Sequence, residues 1–340
     1  MRCDKIFRES VRGIVEFVLK EGSIDDRFVS RGRALEGTIA HGKLQEDNTK
    51  VYKKYEKEVR LQCEFKKDNL ILIVDGRCDG IINDGDIPII EEIKSTYKNL
   101  IYIDEDYNEL HWAQGKFYGY MFCLNNSLNN VCVRLSYYNV GTGEVKSFDK
   151  RYSLNQLKDY IEPIVDKYID ILMMKEYFSN ERDESIAQLK FPFENYRKGQ
   201  RELAVSCFNC IKEQGTLFVQ APTGIGKTIS TIFPAIKSLN LKRGQRVIYL
   251  TAKTITRSVA EETYKKLIEN GLKFRVVTIT AKDKVCLNEE VKCNPEDCIY
   301  AKDFYTKIDN VIQEMLTKEK VFFREVIEEY GERYKVCPFE

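Results

Sequence analysis

The sequence predicts an α/β protein built in two parts, and three observations carry that prediction. Between Glu58 and Lys94, short alternating apolar and polar runs are separated by Gly, Asn and Asp, the pattern of hairpin-connected strands. From Leu217 to Thr280, short continuous apolar runs alternate with amphipathic helical stretches, the pattern of a parallel sheet covered by helices. The pattern changes across a helix-periodic stretch from Leu154 to Leu189 that contains Pro163. At 340 residues and 43% hydrophobic content, the chain can build two or three cores.

In the first part, Ser10 to Leu19 and Arg31 to Glu46 read as helices. The strand runs are Glu58–Phe65, Leu70–Gly76, Gly80–Ile82 and Ile87–Lys94, with turn chemistry at Asn83-Asp84-Gly85-Asp86, so the segment reads as a β-meander. A further strand covers Val131 to Val140. Asp79 follows the bend Gly76-Arg77-Cys78, and Glu92 and Lys94, two apart, share one strand face. Joined by a hairpin, these three converge. Two carboxylates at a strand end suit a divalent cation, which polarises a phosphodiester and activates water, with Lys94 stabilising developing charge. His41, from the preceding helix, adds a nitrogen ligand that admits Mn²⁺ beside Mg²⁺. His111 reads as a surface or capping residue, and Tyr107, Tyr118, Tyr120, Tyr137 and Tyr138 as core aromatics with a secondary capacity to stack on bases.

In the second part, the apolar run Leu217–Val219 leads into Gln220-Ala221-Pro222-Thr223-Gly224-Ile225-Gly226-Lys227-Thr228, and a helical run from Ile229 to Leu239 follows. Strand, glycine loop and helix in that order form a phosphate-binding loop. Gly224 and Gly226 let successive N–H groups turn inward, the helix start adds its unsatisfied N–H groups, Lys227 supplies charge for the β/γ phosphates, and Thr228 offers a hydroxyl to Mg²⁺. Runs at Arg246–Ala252 and Phe274–Thr280, with a helix from Thr254 to Leu267 between them, continue the alternation.

Net charge is +1, with −3 over residues 1–170 and +4 over 171–340, so composition gives no basic field and nucleic-acid binding must rest on motifs. The charged start Met1-Arg2-Cys3-Asp4-Lys5 lacks the apolar run of a secretory leader, and no stretch reaches transmembrane length, which together predict a cytoplasmic protein with no membrane contact. In a reducing compartment, eleven cysteines read as core thiols or metal ligands. Cys3, Cys63, Cys78, Cys123 and Cys132 are expected in the core, as are Cys207 and Cys210 within a helix. Cys286, Cys293, Cys298 and Cys337 form the spacing C-x6-C-x4-C-x38-C, with a helical stretch from Ala301 to Phe323 inside it. That spacing lacks the paired C-x2-C knuckles usual for structural zinc, although a four-cysteine zinc site is the chemical alternative to iron.

The order His41, Gly76-Arg77-Cys78-Asp79, Glu92-Ile93-Lys94 and Gln114-x-x-x-Tyr118 resembles the RecB-like branch of the PD-(D/E)xK nucleases, over roughly residues 30–125. The resemblance implies a mixed sheet flanked by helices, with Gln114 and Tyr118 positioning DNA at the active site. Tyr196-Arg197-x-Gly199-Gln200, the loop Ala221–Thr228 and Tyr249-Leu250-Thr251-Ala252-Lys253-Thr254 resemble the XPD/DinG family of superfamily-two DNA helicases. That likeness implies a RecA-like ATPase in which Gln200 reads adenine, Thr251 and Lys253 touch the DNA backbone, and the four cysteines hold a 4Fe–4S insertion. The expected organisation is a nuclease-like domain over 1–150, a helical linker over 151–190, the first part of the motor over 191–281 and the Fe–S insertion over 282–340. ATP, Mg²⁺ or Mn²⁺, the cluster and single-stranded or forked DNA are the implied cofactors and partner. No Asp-Glu-x-His follows Lys227, so the chain reads as the N-terminal portion of a longer helicase.

Overall fold

A computed structural model describes residues 5–27, 33–241, 246–251 and 254–340. The chain divides into two compact units, one of residues 1–22 and 26–173 and the other of 23–25 and 174–340.

The first unit runs β1 (Lys5–Ser10), α1 (Val11–Leu19), α2 (Arg33–Val51), β2 (Tyr55–Lys67), β3 (Leu70–Ile82), β4 (Ile89–Thr96), α3 (Glu109–Asn126), β5 (Asn130–Asn139), β6 (Val145–Ser153) and the start of α4 (Leu154–Gln188). Its sheet is mixed. β1 lies parallel to β3, β4 parallel to β5, and the β2–β3, β3–β4 and β5–β6 pairs are antiparallel. The expected meander is present, but Gly76-Arg77-Cys78 does not break the chain: the second and third runs are one long strand, β3. β3 pairs with β1 over Leu70–Asp75 and with β4 over Gly80–Ile82. Residues 76–79 therefore lie where β1 has ended and β4 has not begun. That fork positions Asp79.

Local chemistry explains the helices. Ser10 Oγ accepts the Gly13 N–H and caps α1, and Asn108 Oδ1 accepts the His111 N–H and caps α3. The core gathers Val11, Ile14 and Val15 of α1, Leu72 and Val74 of β3, and Ala113, Phe117 and Met121 of α3. Leu157, Ile161, Val165 and Ile169 of α4 join it, so the stretch expected as a linker contributes its first turns to this core. Cys63, Cys78, Cys123 and Cys132 are buried as expected, whereas Cys207 and Cys210 are only half-buried; Cys3 lies outside the described residues. Tyr118, Tyr120, Tyr137 and Tyr138 are buried, which removes them as stacking platforms, and Tyr107 alone of the five is exposed.

The second unit continues with α5 (Gln200–Lys212), α6 (Lys227–Leu239), α7 (Thr254–Glu269), β7 (Val276–Val277), α8 (Lys282–Val285), α9 (Phe304–Lys318), β8 (Val321–Phe322) and α10 (Arg324–Tyr334). α5, α6 and α7 lie where helices were expected, the expected helical stretch 301–323 is helical over Phe304–Lys318 and ends in β8, α8 and α10 were not expected, and the sheet differs. The only ladder among the described residues is the two-residue parallel pair β7–β8, and the runs 217–219 and 246–251 form none. Val247, Tyr249 and Phe274 pack on a core made by Ile229, Ile232, Ile236, Tyr264 and Leu267. Their alternates face outward: Leu250 is 87% and Ile279 89% exposed, as is Phe218 at 93%. A parallel sheet is stable when helices cover both faces and neighbours pair both edges. Here the described residues cover one face, so the strand-like alternation persists without the ladder.

Candidate functional site

Five expected residues meet at the β3–β4 fork. Asp79 Oδ2 accepts the Ile93 N–H (2.7 Å), and Oδ1 lies 3.4 Å from His41 Nδ1. Lys94 Nζ donates to Glu92 Oε1 (2.7 Å) and to Gln114 Oε1 (2.6 Å). Glu92 and Lys94 share a face of β4 because they are two apart, and Gln114 reaches them from α3. Gly115, the next residue of α3, lies so close to Val133 that a Cβ there would come within 2.6 Å of Val133 Cγ1, and the helix or that side chain would have to shift. Tyr118, one turn on, packs its ring on Gly76, where a side chain would collide with the hydroxyl.

The electrostatics are those of a crowded acidic pocket. Glu92 is 5% exposed, and burial pushes its carboxyl up, to about 7, with Asp79 adding to the rise and Lys94 and His41 opposing it. Burial disfavours the charged His41 ring, but the hydrogen bond to Asp79 and the charges of Asp79 and Glu92 outweigh it, so its pKa is raised.

Among the described residues no group of three or more His, Cys, Asp or Glu side chains is arranged to hold a metal ion. The expected three-ligand site of His41, Asp79 and Glu92 is corrected accordingly: His41 faces the Asp79 carboxylate and leaves a two-carboxylate arrangement. That donor set still fits Mg²⁺ or Mn²⁺, since Mg²⁺ commonly takes one or two carboxylates and completes its shell with water and substrate phosphate.

His111 is neither a surface residue nor a side-chain cap. Its ring is half-buried, with Nδ1 3.0 Å from the Tyr137 hydroxyl, and burial, followed by the charge of Lys94, lowers its pKa to about 3. A base depressed in the fold from an unfolded value of 6.5 leaves stability unaffected above that value. Below it the unfolded chain takes up the proton first, so stability falls with pH by up to about 1.4 kcal/mol per unit. Melting of wild-type protein should therefore drop between pH 6.5 and pH 4 more steeply than melting of His111→Gln, and parallel curves would remove the assignment.

In the second unit, Gly224 (φ +83°) and Gly226 (φ +84°) adopt the left-handed conformation that the phosphate loop requires. Gly226 precedes α6 with no side-chain cap, leaving the first N–H groups of the helix for a ligand. Lys227 Nζ donates to the Ala221 and Pro222 carbonyls (2.9 and 3.0 Å), closing the loop on itself. Gln200 is buried against Gly226, and its Oε1 accepts the Arg197 N–H (3.0 Å). Arg197 donates to the Gly224 carbonyl, a contact that sequence reasoning missed although the Tyr-Arg pair ahead of Gln200 pointed to it. Thr223 and Thr228 flank the loop. Thr251 is exposed, and Lys253 lies outside the described residues.

The four cysteines, separated by up to 51 positions in sequence, line one pocket with Ile24, Lys282, Lys292 and Tyr300. Cys293 and Cys298 are buried, Cys286 and Cys337 half-buried, and Asn288 Nδ2 lies 3.1 Å from Cys298 Sγ. The pocket volume is about 10 Å³. The thiol set suits iron or zinc chemically, but no three of these cysteines are arranged to hold a metal ion and a space of this size admits about one water, so either centre requires the thiols to move, a 4Fe–4S cluster most of all.

One comparison with known proteins falls within the second unit. Residues 201–323 match the family model described as DEAD/DEAH box helicase. The match takes in the phosphate loop from Thr223 to Thr228 and three of the pocket cysteines. A 110-residue stretch is 32% identical to "Probable ATP-dependent helicase MJ0942" of Methanocaldococcus jannaschii, covering 32% of this chain and 16% of that protein. The chain thus spans a small part of the length of the curated relative it matches. The crystal structure of SSO0001 aligns over 49% of this chain and 76% of its own at 20% identity and a TM-score of 0.34, too low to carry an argument. Residues 201–323 are thus similar to part of a helicase. Among the described residues no helix is long and apolar enough to cross a membrane.

Proposed function

We propose that the chain joins a metal-dependent deoxyribonuclease to the start of an ATP-driven DNA helicase motor of the XPD/DinG type, serving DNA repair or processing. The observation that carries the nuclease half is the convergence of Asp79, Glu92, Lys94 and Gln114, with His41 behind Asp79, at the fork of a mixed sheet. Asp79 and Glu92 would hold Mg²⁺ or Mn²⁺, which supplies a Lewis acid beside the phosphodiester. Lys94, fixed between Glu92 and Gln114, presents its charge where negative charge develops on the phosphate. His41 orients Asp79. Gln114 fixes Lys94, and buried Tyr118 supports β3 at Gly76 beside the site.

In the motor half, the N–H groups at Gly224 and Gly226 cradle phosphate, Lys227 leaves the loop carbonyls for it, Thr223 and Thr228 complete the loop, and Gln200 reads the base. Fusion raises the effective concentration of strand at the tethered cutter. Single-stranded or forked DNA is the partner in this reading.

The test is cleavage of single-stranded DNA by this chain with Mn²⁺ or Mg²⁺. DNA binding without cleavage would leave the first unit as a module that grips DNA ends.

Cys286, Cys293, Cys298 and Cys337 would hold the 4Fe–4S cluster as four thiolates. A second reading, one zinc ion, is favoured by the small pocket, because four sulfurs at about 2.3 Å from a single ion need less room than a cluster does. Protein purified without oxygen should contain iron and acid-labile sulfide in equal amounts, and zinc alone would overturn the cluster.

A further inference from the structure

The β2–β3 ladder has one open rung, and it faces Asp79. Lys57 pairs with Gly80 and Val59 with Cys78, so the residue opposite Asp79 is Glu58, yet that pair is missing from the ladder. Glu58 is also the one strand residue among the described non-glycine residues with positive φ, at +58°. The others, Asp68, Ser127, Gln214, Asp303 and Lys335, sit in turns or at helix ends, where that conformation is common. In the middle of a strand it is strained for glutamate and persists only where the surroundings over-determine it.

Those surroundings are specific. Glu58 Oε1 accepts from Gln45 Nε2 (3.0 Å), and Oε2 pairs with Arg77 Nε (2.5 Å). The same Gln45 Nε2 donates to the Asp79 carbonyl (2.8 Å). Gln45 is 4% exposed and lies one helical turn after His41 on α2, so both residues project from one face of the helix. The Asp79 backbone is therefore held by Gln45, one of its side-chain oxygens by Ile93 and the other by His41.

We propose that Gln45 and Glu58 are positioning residues for the cleavage reaction. The strained Glu58 opens the ladder at Asp79, and its carboxylate holds the Gln45 amide that fixes the Asp79 backbone, so the Asp79 carboxylate points into the fork. The inference rests on reading the first unit as a metal-dependent nuclease. It is distinct from metal ligation, because Glu58 acts through Gln45 and Asp79.

Glycine at position 58 separates strain from function. Glu58→Gly accepts the left-handed backbone without penalty but removes the carboxylate. The expected result is a melting temperature at or above wild type, combined with about a tenfold weaker Mn²⁺ affinity by calorimetry without DNA and about a tenfold lower kcat, the usual scale for outer partners of a metal ligand. Glu58→Gln keeps an oxygen for Gln45 and should recover most of both losses. Gln45→Met, which keeps the length and removes the donor, should weaken Mn²⁺ binding as Glu58→Gly does. If Asp79→Ala abolishes cleavage while Glu58→Gly matches wild type in Mn²⁺ affinity and kcat, the positioning role is overturned and the nuclease reading stands. If wild type and Asp79→Ala are equally inert toward DNA and Mn²⁺, the nuclease reading fails and the positioning role with it.

Discussion

Replacing Asp79 with alanine will lower Mn²⁺-dependent cleavage of single-stranded DNA by about 10³-fold, since the metal supplies several kcal/mol of transition-state stabilisation and each 1.4 kcal/mol is tenfold. Asp79 Oδ2 also accepts the buried Ile93 N–H, so alanine leaves a donor unpaired at the β3–β4 fork and costs about 1–3 kcal/mol of stability. Asp79→Asn separates the two effects. The asparagine oxygen can still accept from Ile93, so the fold should melt near the wild-type temperature, while loss of the charge should lower cleavage about as much as alanine does. Cleavage at the wild-type rate by the asparagine variant, at any Mn²⁺ concentration, would remove Asp79 from the site.

The second large effect is expected at Lys227. Its ammonium rests on the Ala221 and Pro222 carbonyls and must exchange them for phosphate oxygens when nucleotide binds. A hydrogen bond to a charged group contributes about 1.5–3 kcal/mol, so Lys227→Ala should weaken ATP binding by about 10- to 10²-fold. Because Lys227 is exposed, the melting temperature should hardly move. Titration of a fluorescent ATP analogue into both proteins checks this, and equal affinities would mean that the loop is a structural βα turn.

These effects trace to features that differ in how plainly the sequence carries them. The β2–β4 hairpins were legible because alternation and the Asn-Asp-Gly turn act locally, and the shared face of Glu92 and Lys94 follows from the period of a strand, whereas the burial of Glu92 does not. β1 and β6 were not legible. Both are largely polar, with only alternate residues partly covered, and their strand state comes from pairing with β3 and β5. Gly76 looked like a break in β3, but it is the position where Tyr118 comes closest to the backbone. The apolar runs around Phe218, Ile248 and Leu250 read as buried strands but are neither paired nor buried, because a ladder is a non-local property that no run specifies alone.

At the site, residue types that carry chemistry were visible and their supports were not. Asp79, Glu92, Lys94, Gln114 and His41 were legible as an ordered set, and so were the cysteines that share a pocket. Gln45 has no sequence signal beyond its spacing from His41. Glu58 has none, since nothing in glutamate encodes a left-handed backbone; the packing of α2 and Arg77 imposes it. His111 was misplaced because a helix-opening histidine ordinarily faces water, whereas here Tyr137 and the sheet receive it.

The proposed function joins two independent phosphate chemistries in one polypeptide. The most direct measurement is cleavage of an end-labelled single strand with Mn²⁺ and no nucleotide by the Lys227→Ala protein, with the nucleotide titration run on the same preparation. Cleavage at the wild-type rate together with weakened nucleotide binding is expected. Loss of cleavage in Lys227→Ala protein that melts like wild type would contradict it, because the two sites would then not be separate.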